Sequence, residues 1–363
     1  MKIGILTFHC AHNYGAVLQC YATQKFLQQN GYDVEIINYR PQYLLEPYRI
    51  FTIRRFLSRN PIYIIKSILW EFILFPIRLK RYIGFEKFIK EKLNVSHKIT
   101  DVALLSKYDI FIVGSDQIWN SKISCGFDDV YFCNFPFDKK NKKYISYAAS
   151  IELGHLDNEG RQYLSTQLKH FDKISVREVD AVDILNSITK KSVFHVLDPT
   201  LMVSSDLWDA FPKTTMNEKY VLVYQVRKNE NTIRIAKEIA DQIGAKIKVL
   251  VAWLQPELKD TNQIATPEEF IDNIRNASCI ITTSFHGTAF STINKKPFYT
   301  VRLNDGADNR SDSLLRSLRL EDRIINFDDS PVFSRIDYSQ VYPILEELRQ
   351  NSQEYLLDSL RYE

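Results

Sequence analysis

The stretch KIGILTFHCAHNYGAVLQCYATQKFLQQNGYDVEIIN, residues 2–38, reads as one βαβ unit. Residues 2–8 are a short apolar run, and HCAHNYG, residues 9–15, is a polar break. Val17, Tyr21, Phe26 and Leu27 then recur at helical spacing up to the stop at Asn30-Gly31. DVEIIN, residues 33–38, is a second strand. Two strands joined by a helix lie parallel, which places the chain in the α/β class.

The rhythm continues outward. Residues 108–113, 143–149, 173–177 and 193–197 read as strands, before an Asp-Pro break at 198–199. The pattern restarts with strands at 220–226, 246–251, 279–283 and 297–301. Helices are predicted over 232–243, from Thr266 onward with Thr266 as N-cap and Pro267 in the first turn, and from 287 to 293. Two successive sets predict two Rossmann-like domains facing a cleft, over 1–200 and 201–340, with a terminal helix over 341–363. Ligands of doubly wound sheets sit at the carboxyl ends of the strands. Polar segments that directly follow strands are therefore the first places to look for function.

Composition narrows the class. The 363 residues are 45% hydrophobic and 25% charged, as in a soluble globular protein. A net charge of +3 gives no argument for nucleic acid. Cys10, Cys20, Cys125, Cys133 and Cys279 are scattered and odd in number, which suits reduced thiols and a cytoplasmic protein. Met1 leads into KIGILTFH, which lacks a charged region, a long apolar core and a cleavage site, so no signal peptide is expected. There is no GxGxxG, P-loop, HExxH or GxSxG motif.

Residues 49–97 break the α/β rhythm. Arg49, Arg54, Arg55, Arg59, Lys66, Arg78, Lys80, Arg81, Lys87, Lys90 and Lys92 stand against Glu71, Glu86 and Glu91, so 11 − 3 = +8. The core IYIIKSILWEFILFPI is apolar, but Lys66, Glu71 and Pro76 interrupt it and it is too short to span a bilayer. Two readings stay open: a pair of helices packed on the first domain, or a basic amphipathic element on the inner face of an anionic membrane.

Four segments follow strands and carry chemistry. In HCAHNYG, His12, Asn13 and Tyr14 precede a helix whose N-terminus favours anions; a plain turn around Gly15 is the alternative. In GSDQIWN, Asp116, Gln117, Trp119 and Asn120 suit a sugar, with the indole stacking on the ring; an N-cap beside a core Trp is the alternative. Arg177 ends a strand and can grip a carboxylate or phosphate, or pair with Glu178 or Asp180. In TTSFHGTA, His286 stands at a strand–helix junction beside Ser284, Gly287 and Thr288, where it can titrate near neutrality or simply pack. Lys296 and Arg310 are further cations in the same half.

The ordered set NYGAVLQCYA (13–22), VGSDQIWN (113–120), YAASI (147–151), SVRE (175–178), LDPTLM (197–202) and TSFHGTAF (283–290) followed by KKPF resembles the polysaccharide pyruvyl transferase family. The resemblance spans nearly the whole chain apart from the basic insert. It implies a GT-B-like two-domain fold and ketal-pyruvyl transfer from phosphoenolpyruvate to two hydroxyls of one sugar, in a surface polysaccharide or its lipid-linked precursor. It points to His286 as catalytic and to Arg177 as a donor ligand. Ser284, Gly287, Thr288, Lys296 and Arg310 complete the expected donor side. His12, Asn13, Tyr14, Asp116, Gln117, Trp119 and Asn120 form the expected acceptor side. Phosphoenolpyruvate is a co-substrate, and neither a cofactor nor a metal is called for. Other members carry a Gly-rich run where this chain has VGSDQIWN, and Glu152 follows YAASI where many have Gly. A nucleotide-sugar glycosyltransferase and a non-catalytic carbohydrate-binding membrane protein are the alternatives.

Overall fold

A computed structural model describes residues 1–50, 61–152, 156–215, 218–251, 264–304 and 308–361. Arg54, Arg55 and Arg59 of the basic insert lie outside the described residues, as do residues 305–307 of the loop before Arg310.

Two parallel sheets form the framework. The first runs β2 (Asp33–Ile36), β1 (Lys2–Leu6), β3 (Ile110–Val113), β4 (Lys143–Ser146). The pair β5 (Ile174–Val176) and β6 (Val193–His195) continues beyond β4, through bridges Ile145–Lys173 and Ala149–Val176. The second sheet comprises β7 (Tyr220–Gln225), β8 (Lys246–Val251), β9 (Cys279–Thr282), β10 (Phe298–Arg302) and β11 (Ile324–Asn326), in the order β11-β10-β9-β7-β8. Both sheets wind alike: the second strand lies on one side of the first, and the rest lie on the other. The direction of winding therefore reverses between β1 and β3, and again between β7 and β9. The two Rossmann-like units expected from the sequence are present.

The strand cores explain the sheets. β3 is IFIV, apolar and buried throughout, because helices cover both faces of a parallel sheet. Helix Tyr14–Gln29 is buried on almost every side, since the first sheet lies on one flank and the second half on the other. One apolar cluster runs from Ile3, Ile112 and Tyr14 through Phe85 and Trp208 to Phe270, Phe290 and Leu345, joining the two halves. Helix Tyr338–Leu360 straps them: Tyr342 donates to the Ile293 carbonyl in the second half, and Tyr355 to that of Ser146 in the first.

Among the described residues of the insert, one long helix runs Pro61–Lys92; the rest of the expected pair falls on residues 51–60, which lie outside the described residues. Pro76 lies inside it on the exposed face, where a lost backbone bond is solvated. Among the described residues, no helix is long and apolar enough to cross a membrane.

At the far end of the first sheet, Glu35 Oε2 accepts from Tyr108 Oη at 2.6 Å and Lys107 Nζ at 2.8 Å, and Lys2 Nζ lies 3.1 Å away. Burial pushes this carboxyl up, but the three donors outweigh it and hold it at about 2. A depressed carboxyl stabilises the fold above its ordinary value of 4.5, and that contribution is lost as pH falls towards 2. Glu35→Gln should therefore lower the melting temperature near neutrality. The gap from the parent should close as pH falls below about 4 in a thermal-melt series; a pH-independent gap would show that the charge is not responsible.

Candidate active site

A cavity of about 410 Å³ opens where the two reversals of winding meet. Its lining includes Phe8, Asn13, Asp116, Gln117 and Asn120, which follow β1 and β3. Arg227, Thr283, Ser284 and His286 line it after β7 and β9, and Arg310 joins them. The carboxyl ends of both sheets thus share one cleft, as doubly wound sheets favour.

Two helices aim their N-termini at it. Asn13 caps helix Tyr14–Gln29, its Oδ1 accepting from the Gly15 N–H at 2.9 Å. Ser284 caps helix Phe285–Ile293. These ends approach so closely that a Cβ on Gly15 would lie 1.9 Å from His286 Nδ1. Position 15 is glycine because the imidazole of the other half occupies that space.

Behind His286 lies Asp198, fully buried at the join of the halves. Its Oδ2 stands 2.8 Å from Arg177 Nη1, 3.2 Å from Ser115 Oγ and 3.7 Å from His286 Nε2. Its Oδ1 accepts from the Thr200 N–H and hydroxyl at 3.0 and 2.8 Å. Burial opposes the charge, but His286, Arg177 and the Thr200 N–H outweigh it and hold the carboxyl far below the usual range. His286 Nε2 is buried without a hydrogen-bond partner among the described residues.

The cations differ in how they are held. Arg177 is buried, with its guanidinium 4.3 Å from the Phe285 ring centroid and Nε 3.6 Å from Glu178. Its Nε and Nη2 make no hydrogen bond among the described residues. Burial works against its charge, but Asp198 and Glu178 raise its pKa. Arg227 donates to Asp308 at 2.8 Å and to the Thr283 carbonyl at 3.0 Å. Arg310 reaches the cleft with no hydrogen bond or ion pair among the described residues. Burial, then the Arg177 charge, pushes its pKa down to about 10, so it remains charged at neutral pH.

Seven of the residues singled out from sequence line the cleft: Asn13, Asp116, Gln117, Asn120, Ser284, His286 and Arg310. The others are elsewhere. Trp119 is closed to a sugar, its ring stacked on Phe132 at 5.6 Å and edge-on to Phe171, with Nε1 donating to the Tyr131 carbonyl. Tyr14 joins the halves: its ring stacks on Phe270 at 4.5 Å and its hydroxyl donates to the Ala265 carbonyl. His12 is buried against Phe85, with Nε2 donating to Glu86 at 3.0 Å. Gly287 and Thr288 lie inside their helix; a Cβ on Gly287 would meet Thr282 Oγ1 at 2.1 Å, and Thr288 Oγ1 bonds Thr300 Oγ1. Lys296 lines a separate pocket with Lys219 and Ser278 at the amino ends of the second sheet. Arg177 stands behind the cleft wall.

Sequence reasoning gave no role to Asp198, read as a break and as part of LDPTLM, and missed Arg227. Arg227 had a signal, since it follows the first strand of the second set just as the 9–15 loop follows β1. Glu152, noted only as a departure, also lines the cleft, where it accepts from Asn120 Nδ2 at 3.0 Å and Lys122 Nζ at 3.3 Å.

Comparison with known proteins agrees with this architecture. The family model described as polysaccharide pyruvyl transferase matches residues 13–305. Among solved structures, a protein described as a UDP-N-acetylglucosamine 2-epimerase from Listeria monocytogenes is similar with a TM-score of 0.52 and 9% identity, over 98% of this chain and 90% of that one. The S. aureus MnaA–UDP complex is similar with a TM-score of 0.50 and 12% identity, over 99% and 91%. At such identities the likeness is one of fold, the GT-B-like pairing of two Rossmann-like units. No curated protein matches the chain.

Two substitutions test the site's construction. Gly15→Ala should displace the His286 ring and overpack the contact, costing about 1–3 kcal/mol of stability. Asp198→Asn should cost about 3–5 kcal/mol in urea denaturation, because Arg177 loses its hydrogen-bonded carboxylate and keeps only Glu178, 3.6 Å away. A neutral result for Asp198→Asn would mean that the buried pair holds nothing in place.

Proposed function

We propose a specific reaction for this chain, which belongs to the polysaccharide pyruvyl transferase family. Phosphoenolpyruvate is the donor, and a sugar of a surface polysaccharide or its lipid-linked precursor is the acceptor. The product is a cyclic pyruvate ketal bridging two hydroxyls of that sugar. Phosphoenolpyruvate is made in the cytoplasm, so the reading puts the enzyme there.

The observation that carries the reading is the convergence on one cleft of His286 and Arg310, which has no ion pair among the described residues, opposite a polar wall of Asp116, Gln117 and Asn120. A small dianionic donor with a carboxylate needs such cations, and a second substrate rich in hydroxyls suits such a wall. Protonated His286 gives its proton to the methylene carbon, and C2 becomes an oxocarbenium centre. One sugar hydroxyl adds to C2 and loses its proton. Phosphate leaves with the C2–O bond electrons and takes one proton. The second hydroxyl adds and gives up its proton, closing the ketal. Two hydroxyl protons are released; one replaces that taken up at carbon and one accompanies phosphate. Arg310, with Arg227 beside it, holds the donor's anionic groups. Asp198 holds the imidazole in place and balances its charge, and Arg177 acts through Asp198 as a positioning residue.

Phosphoenolpyruvate at millimolar concentration should raise the melting temperature, because a ligand of the folded state stabilises it. A suitable glycan should then trigger phosphate release. Stabilisation by a nucleotide sugar and none by phosphoenolpyruvate would point to glycosyl transfer instead.

His286→Gln should lower turnover about 10²-fold or more with the fold intact. Arg310→Ala should chiefly raise KM for the donor, whereas Arg177→Lys should chiefly lower kcat. The reverse pattern would make Arg177 the direct donor ligand.

A further inference from the structure

Helix Pro61–Lys92 is apolar on two faces. Leu74, Phe85, Phe88 and Ile89 are buried in the domain. On the other side Phe72 is 71% exposed, Leu69 and Ile73 each 57% and Ile83 54%, with Ile68 and Ile77 also exposed. Positions 69, 73, 76, 80, 83, 87 and 90 succeed one another at three- or four-residue steps, so they form one stripe along the helix. The stripe is apolar as far as Ile77, then continues as Lys80, Ile83, Lys87 and Lys90, all exposed. Among the described residues these lysines make no ion pair, and the exposed acid beside them on this helix is Glu91, at its end.

Two arginines of the insert are used elsewhere. Arg78 turns inward to Glu71 and the Ile50 carbonyl, and Arg81 donates to the His12 carbonyl at 2.6 Å. What remains exposed is an apolar run with a lysine tail, which is unusual for a surface facing only water.

We propose that this stripe docks the protein on an anionic lipid surface. The helix lies in the interface plane, with Leu69, Phe72, Ile73 and Ile77 among the acyl chains and the lysines on the headgroup phosphates. Charge favours lipid over a second copy of the chain. Among the described residues the stripe exposes Lys80, Lys87 and Lys90 beside its apolar run, a complement to an anionic plane. A twofold pairing that overlays the whole stripes in parallel would set lysine against lysine. The docked helix also bears on the cleft. Tyr82 lies 5.1 Å from the His12 ring, and Glu86 and Arg81 hold His12 in the loop that enters the cleft at Asn13. The cleft mouth is therefore set beside the lipid surface.

Sedimentation with vesicles tests this without donor or acceptor, so its outcome is independent of the reaction proposed above. The protein should sediment with phosphatidylglycerol–phosphatidylcholine vesicles at low salt, less with pure phosphatidylcholine, and less as salt rises. Phe72→Ser with Ile73→Ser should lower the partition coefficient at least about tenfold without lowering the melting temperature, because both side chains are exposed. Replacing Lys80, Lys87 and Lys90 with Gln should remove the preference for phosphatidylglycerol. Failure of the parent protein to bind at low salt would overturn the proposal, as would undiminished binding by both variants. A dimer in analytical ultracentrifugation that Phe72→Ser with Ile73→Ser dissolves, in a protein that ignores vesicles, would make the face a contact between copies.

Discussion

The Asp198 carboxylate is the constraint on which the rest of the structure depends. A bare ion in a protein interior costs several kcal/mol, and only closely placed partners offset that. Each partner comes from a different place: Arg177 from the end of β5, Ser115 from the end of β3, Thr200 from the join of the halves, and His286 from the second half. Satisfying one carboxylate therefore fixes the relative position of two sheets. The imidazole at its edge is placed as a consequence, 3.7 Å from a permanent negative charge.

Packing reinforces the same arrangement. The helix ends at Gly15 and His286 meet with no space for a methyl group between them. Tyr14, one residue earlier, stacks on Phe270 and bonds Ala265, so the loop that enters the cleft is itself anchored across the interface. Helix Tyr338–Leu360 ties the far side. Charges that the fold itself needs, such as Arg177, are buried and paired. Arg310 has no ion pair among the described residues, and burial, then the Arg177 charge, lowers its pKa to about 10. A site in that condition attracts an anion before any other contact is made.

Periodicity made the fold readable. Apolar runs of four to six residues followed by polar breaks mark parallel strands and their carboxyl ends, and that local chemistry survives folding. Polar residues after strands were accordingly found where the cleft is: Asn13, Asp116, Gln117, Asn120, Ser284 and His286. Periodicity also located the insert, but not which of its apolar faces meets the domain. That depends on what the domain offers it, here the apolar cluster containing Phe85 and Phe88.

The sequence by itself determined the α/β class, the two repeats of the α/β pattern, the helix cap at Thr266, and the segments from which a site is built. These follow from interactions between residues a few positions apart. Only the tertiary structure decided that Trp119 is core rather than platform, that Tyr14 and His12 brace the cleft instead of lining it, that Lys296 faces away, and that Asp198 is the shared anion. Each depends on a partner far along the chain: Phe171 for Trp119, Phe270 for Tyr14, Glu86 for His12, and His286 for Asp198. Spacing within a segment carries no record of such partners, because they meet only when the two sheets are brought together.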